Sequence, residues 1–158
     1  MKLSEIVVRD AIRTDMQATD RDSVITELVD ALVQAGSLPP ELHDEIIEAL
    51  LEREKRGSTG FGRGVAVPHA KHPALPAMVA TVGISKVGVD FNALDNQPVY
   101  SIFLLLSPED NPEEHLKAME AIFGSLSQEM FRRFLRQTTT TDDVISLIAE
   151  NDDQKIGS

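Results

Sequence analysis

Apolar residues recur at three- and four-residue steps through Ile25, Leu28, Val29 and Leu32, the spacing of one buried helix face. Thr19 or Asp20 offers a cap ahead of that helix, and Gly36 stops it. A second helix is predicted from Pro39-Pro40, whose fixed φ suits a helix start, to about Lys55, with Leu42, Ile46, Ile47 and Leu50 on its buried side. The pattern then breaks: Gly57-Ser58-Thr59-Gly60-Phe61-Gly62-Arg63-Gly64 cannot be helix interior. Val65-Ala66-Val67 is a short extended piece ahead of Pro68, which disfavours helix at Val67. Ala77 to Ser85 and Val99 to Leu106 read as strands. The second is almost unbroken apolar from Ile102 to Leu106, which suits a central strand covered on both faces. Asp95-Asn96 marks the turn between them.

Asn111-Pro112-Glu113-Glu114 has the composition of a helix start, with Leu116, Met119, Phe123 and Leu126 predicted as the buried stripe. Two shorter helices follow, near Gln128 to Arg136 and Asp142 to Ala149, the last capped by Thr140 or Thr141. Helices before, between and after strands imply an α/β fold. The expectation is a single domain over residues 1–150, a small mixed sheet flanked by helices on both faces, with residues 151–158 as a frayed polar tail.

Composition narrows the chemistry. A chain of 158 residues is long enough to bury a core as one domain. It has no cysteine, so disulfides, thiolate metal sites and a thiol nucleophile are excluded. A formal net charge of −11 repels nucleic acid and anionic membranes and favours a partner with a basic face. No apolar run is long enough to span a bilayer, and the first ten residues lack a signal-peptide core, so a cytoplasmic location is expected.

The candidate chemistry gathers around the glycines. Their backbone N–H groups can face an anion, but neither the P-loop nor the dinucleotide pattern is completed, and ordinary turn glycines explain the stretch equally well. His69 follows in Val67-Pro68-His69-Ala70-Lys71. A neutral imidazole with one nitrogen held by a hydrogen bond is a nucleophile at the other; a lone histidine is also often a half-buried structural residue. His72 lies three residues on, but Pro68 and Pro73 oppose a helical metal face and no third ligand is near, so it is read as a solvated loop residue. His115 is placed in a helix first turn, where partial positive charge suits phosphate. His43 sits mid-helix with no motif around it. Arg53, Arg56 and Arg63 flank the glycines and offer planar forks to a phosphoryl group, or simple salt pairs with Glu52 and Glu54.

As an ordered set, Leu51-Glu52-Arg53-Glu54, Gly57-Ser58-Thr59-Gly60, Gly64-Val65-Ala66-Val67-Pro68-His69-Ala70-Lys71, Asp95-Asn96-Gln97-Pro98-Val99 and Glu114-His115-Leu116 resemble the enzyme IIA family of the bacterial phosphoenolpyruvate-dependent phosphotransferase system, in its fructose/mannitol and nitrogen-regulatory branch. The resemblance covers roughly Met1 to Ala149. It implies that His69 is phosphorylated at Nε2, that Arg53 binds the phosphoryl group and that His115 neighbours the active ring. Gly60, Gly62, Arg63 and Gly64 would form a phosphoryl-binding loop. It implies HPr or its nitrogen-branch relative as donor and no cofactor or metal. The acceptor would be a IIB cysteine on another chain; the alternative is a nitrogen-regulatory protein whose phosphorylation state controls binding to a kinase or transporter. One position departs from the pattern: Gly62-Arg63-Gly64 stands where the family commonly has Gly-Asn-Gly, and arginine takes left-handed backbone at a cost.

Overall fold

The structure is a computed structural model that describes the backbone of residues 1–157 and the side chains of residues 1–153. Five helices and five strands follow in the order α1 (Arg21–Gln34), α2 (His43–Lys55), β1 (Gly60–Gly62), β2 (Val65–Ala66), β3 (His69–His72), β4 (Val79–Val89), β5 (Val99–Pro108), α3 (Pro112–Leu126), α4 (Glu129–Gln137) and α5 (Thr141–Gly157).

The central strand is β5. β4 pairs antiparallel along one edge, and β2 and β3 lie end to end, both parallel, along the other. Residues 65–72 are thus one strand interrupted at Val67-Pro68, where Pro68 has no N–H for the ladder. β1 folds back on β2 as a hairpin. The side chains of β5 alternate faces: Ile102, Leu104 and Leu106 join the core under α1 and α2, while Phe103 and Leu105 join the core under α3, α4 and α5. All five are fully buried, which accounts for an apolar run without polar alternation.

Helix starts follow side-chain chemistry. The Asp20 carboxylate accepts from the Ser23 N–H at the head of α1, and Asn111 Oδ1 accepts from Glu114 N–H at the head of α3. Thr140 and Asp143 cap each other's backbone N–H ahead of α5. Pro40–Leu42 forms a 3-10 turn before α2, so His43 opens that helix rather than sitting in its middle. Its ring bridges Asp30 and Asp44.

Two further expectations are corrected. The buried face of α3 is His115, Ala118, Ile122, Ser125 and Leu126, whereas Leu116 is exposed and Phe123 reaches out to Phe61, ring centroids 4.7 Å apart. The stripe Leu116–Met119–Phe123 obeyed the period but was one position out of phase, because polar His115 and Ser125 take buried places. Among the described residues the C-terminal segment is not a frayed tail: α5 continues to Gly157, Asn151 and Asp152 are buried, and the Asp152 carboxylate accepts from the N–H groups of Leu3 and Ser4 at 3.0 Å each. The N-terminal segment runs beside β4 through isolated parallel bridges of Val7 with Ala80 and Arg13 with Gly83, and Asp20 bridges to Asp90 just past its end.

Candidate functional site

The interruption at Val67-Pro68 builds the site. Lying outside the ladder, the Val67 carbonyl is free to accept from His69 Nδ1 at 2.8 Å. That bond puts the proton of the neutral ring on Nδ1 and leaves Nε2 as the lone-pair nitrogen. Among the described residues Nε2 has no protein partner. The half-buried ring lines an open depression of about 460 Å³ with Ala49, Glu52, Arg53, Arg56, Ala70, Lys71 and His115. In a chain of net charge −11, three cations and one carboxylate line this hollow, a local reversal suited to an anion.

Arg53 sits in the last turn of α2, where its positive charge opposes the negative end of the helix dipole. One guanidinium N–H donates to the Gly57 carbonyl at 2.8 Å, leaving the rest of the fork uncommitted. His115 comes from α3, on the far side of the strand end. Its ring centroid is 5.7 Å from that of His69, at a 49° tilt. Its Nδ1 lies 2.6 Å from Ser107 Oγ, at the end of β5. With the Ser107 hydroxyl donating to Nδ1, the ring proton sits on Nε2 and becomes a hydrogen-bond donor.

Both rings are held neutral. Burial lowers the His69 pKa, reinforced by Arg53 and Lys71 and opposed by the Val67 bond. Burial, then His69 and Lys71, push His115 down to about 4. The unfolded chain therefore binds more protons than the native protein between about pH 4 and the ordinary value near 6.5, so stability falls as pH drops through that window and is flat on their account above it. Urea unfolding should lose on the order of 1–2 kcal/mol through His115 between pH 7 and pH 5. His115→Gln should remove that part of the slope; an unchanged slope would mean that other groups carry it.

The structure brings His69, Arg53, Arg56 and His115 together. It does not bring the glycine stretch. None of Gly60, Gly62, Arg63 and Gly64 lines the depression; they form the β1–β2 hairpin, packed on the Asp95 turn and Tyr100. Arg63 is left-handed at φ 60°, and its N–H donates to Asp95 Oδ2 at 3.1 Å, so the turn at Asp95 holds the strained residue. His72 is not a loop residue but ends β3, with Nε2 at 3.1 Å from Glu45 and Nδ1 accepting from the Ala74 N–H. Two contributors were not predicted, Lys71 as a lining cation and Ser107 as the partner of His115; the Val67 carbonyl is the hydrogen-bond partner expected to hold one ring nitrogen of His69. Lys71 was open to prediction, because an extended segment places His69 and Lys71 on the same side of β3. Ser107 was not, since only the pairing of strand end and helix start joins it to His115.

Residues 5–151 match the family described as phosphoenolpyruvate-dependent sugar phosphotransferase system, EIIA 2. The chain belongs to that family, whose members are phosphotransferase components. It is 33% identical over 152 residues to a fructose-specific EIIABC component of Bacillus subtilis, covering 96% of this chain but only 24% of that longer protein. It is 32% identical over 149 residues to a nitrogen regulatory protein of Bradyrhizobium diazoefficiens, covering 94% of this chain and 95% of that one. The crystal structure of nitrogen regulatory protein IIA-Ntr from Neisseria meningitidis superposes with a TM-score of 0.83 at 32% identity, covering 92% of this chain and 97% of that one. Among the described residues no helix is long and apolar enough to cross a membrane.

Proposed function

We propose that this protein is a phosphohistidine carrier that takes a phosphoryl group from an HPr-type donor onto Nε2 of His69 and passes it to a cysteine of a IIB domain. The observation that carries the proposal is the His69 ring itself: Nδ1 pinned to the Val67 carbonyl, Nε2 unpartnered, in a hollow with Arg53, Arg56 and Lys71. In the accepting step the Nε2–P bond forms as the donor's N–P bond breaks, and the donor imidazole leaves with its electron pair. In the delivering step a cysteine thiolate forms the S–P bond as Nε2–P breaks. The transferred group is planar and anionic midway, so positioning and charge do most of the work. Arg53 presents its free guanidinium face to the equatorial oxygens, and His115 donates from Nε2. A shallow site suits this chemistry because each partner brings its own reacting side chain. In this reading the transfer takes place in the cytoplasm.

Incubation with phosphoenolpyruvate, enzyme I and HPr tests the proposal. The expected product carries one phosphate, labile in acid and stable in alkali, mapped to Nε2 of His69. No label, or label elsewhere, rejects it.

A second reading is regulatory, favoured by the relatives of that name that match along almost their whole length. In that case the unphosphorylated protein binds a kinase or transporter, and phosphorylation of His69 changes the affinity. Transfer of labelled phosphate to a IIB cysteine favours carriage; affinity recovery of a kinase or ion transporter by the unphosphorylated form alone favours regulation.

A further inference from the structure

Glu54 is a buried carboxyl group that the chemistry at His69 does not use. It lies in the last turn of α2, beside Arg53, and is 3% exposed. One oxygen, Oε1, accepts from both the N–H and the hydroxyl of Thr59, at 3.1 Å each. The other, Oε2, is buried with no hydrogen-bond partner. An unsatisfied buried carboxylate oxygen is costly, and an aliphatic side chain would fill the same space without that penalty. What the carboxylate supplies is the clamp on Thr59.

That clamp leads to the nucleophile in two further bonds. The Thr59 carbonyl accepts from Val67 N–H at 3.1 Å. Across the same residue, the Val67 carbonyl accepts from His69 Nδ1 at 2.8 Å. Val67 lies between β2 and β3; the ladder to β5 resumes at the Pro68 carbonyl, which accepts from Leu105 N–H at 3.0 Å, and the N–H of Val67 itself is held by Thr59. Thr59 and Val67 are both fully buried, so water does not substitute for either bond. The end of α2 therefore acts twice on the turn before β1. Arg53 holds the Gly57 carbonyl, and Glu54 holds Thr59.

We infer that Glu54 is a positioning residue for His69, acting through Thr59 and Val67 to keep the imidazole proton on Nδ1 and the nucleophilic lone pair on Nε2. The consequence for phosphoryl transfer rests on the carrier reading; the hydrogen-bond relay does not. In the carrier, loss of the relay lets phosphate form on the wrong nitrogen as well as more slowly.

The test reads the ring directly. Long-range proton–nitrogen NMR of the uniformly labelled chain near pH 8 reports the tautomer of neutral His69 with no phosphoryl donor present. Wild type should show the Nδ1–H form. Glu54→Ala should lower the ratio of Nδ1–H to Nε2–H roughly tenfold, the worth of one ordinary hydrogen bond. Glu54→Gln retains the acceptor oxygen and should restore the wild-type ratio. Ser58 still anchors the turn in these variants, its hydroxyl donating to the Phe91 carbonyl at 2.9 Å. A folded Glu54→Ala with the wild-type ratio overturns the inference, as does Glu54→Gln shifted as far as Glu54→Ala. If Glu54→Ala does not fold, Thr59→Val decides: it deletes one of the two donors to Oε1, and an unchanged ratio overturns the relay. If the wild-type tautomer is as expected but HPr labels nothing, the carrier function fails and the relay stands.

Discussion

Replacing His69 by alanine should abolish phosphate acceptance from phosphorylated HPr while leaving a folded protein. The loss should be complete because no other imidazole here has the same standing. His72 has both nitrogens occupied, by Glu45 and the Ala74 N–H. His43 is bridged by two aspartates, which raise its pKa and favour the protonated, non-nucleophilic ring. His115 is close enough to tempt a rescue, but its Nδ1 is taken by Ser107 and its burial is nearly complete. The fold should tolerate the change. His69 joins β3 to β5 through backbone opposite Leu105, and alanine keeps that ladder. The half-buried ring packs over the hollow and not inside either core, but its loss leaves the Val67 carbonyl without its Nδ1–H donor, so the stability cost should be about 1–3 kcal/mol, short of unfolding the chain. Radiolabel transfer and a urea melt, run together, separate the two effects. Stoichiometric alkali-stable label on the variant would place the nucleophile elsewhere.

The pH dependence of that acceptance follows from the same ring. Because burial lowers the His69 pKa, the lone pair on Nε2 survives to lower pH than in a free histidine. The acid limb of the rate profile should therefore lie below 6.5, and it should move upward in any variant that opens the hollow to water.

What the sequence disclosed depended on the range of the interaction involved. The caps at Asp20, Asn111 and Thr140, the stop at Gly36 and the buried run in β5 are local, and each appears where its residue types predicted. Arg63 is left-handed where the family commonly has asparagine, a conformation that its own residue type does not predict. The failures are contacts between segments far apart in the chain. Asp152 looks like one more charge in a polar terminus until the backbone of Leu3 and Ser4 is brought against it, 149 and 148 residues away. The helix face of α3 was misjudged because a histidine and a serine are poor predictors of burial unless their partners, Ser107 and Asn151, are known. The glycines were credited with an anion because glycine backbone can bind one. In the fold, the space a Cβ would need at Gly60 and Gly62 is taken by Ala93 and Asp95, which explains the absence of side chains by close packing of two turns.

Arg53→Gln should slow phosphoryl transfer through His69 by about 10²–10³-fold, the loss found when one preorganised donor to a developing anion is removed. The size follows from the position of Arg53. Its bond to the Gly57 carbonyl fixes the guanidinium without consuming it, so little entropy remains to be lost when the phosphoryl group arrives. Arg56 and Lys71 also line the hollow but are exposed, where charge is screened by water and ions. Arg53→Lys should fall between wild type and Arg53→Gln, because it keeps the charge but loses the fork and the tether to Gly57. The substitution has a second signature that distinguishes loss of charge from general damage. The positive charge of Arg53 helps to lower the His69 pKa, so Arg53→Gln should move the acid limb of the rate profile upward, toward the ordinary histidine value, while Arg53→Lys should move it less. Binding of the donor, measured as KM, should change little if Arg53 acts on the transferred group. A rate within twofold of wild type for Arg53→Gln, or an effect confined to KM, would remove Arg53 from the reaction and leave it as a strut for the turn at Gly57.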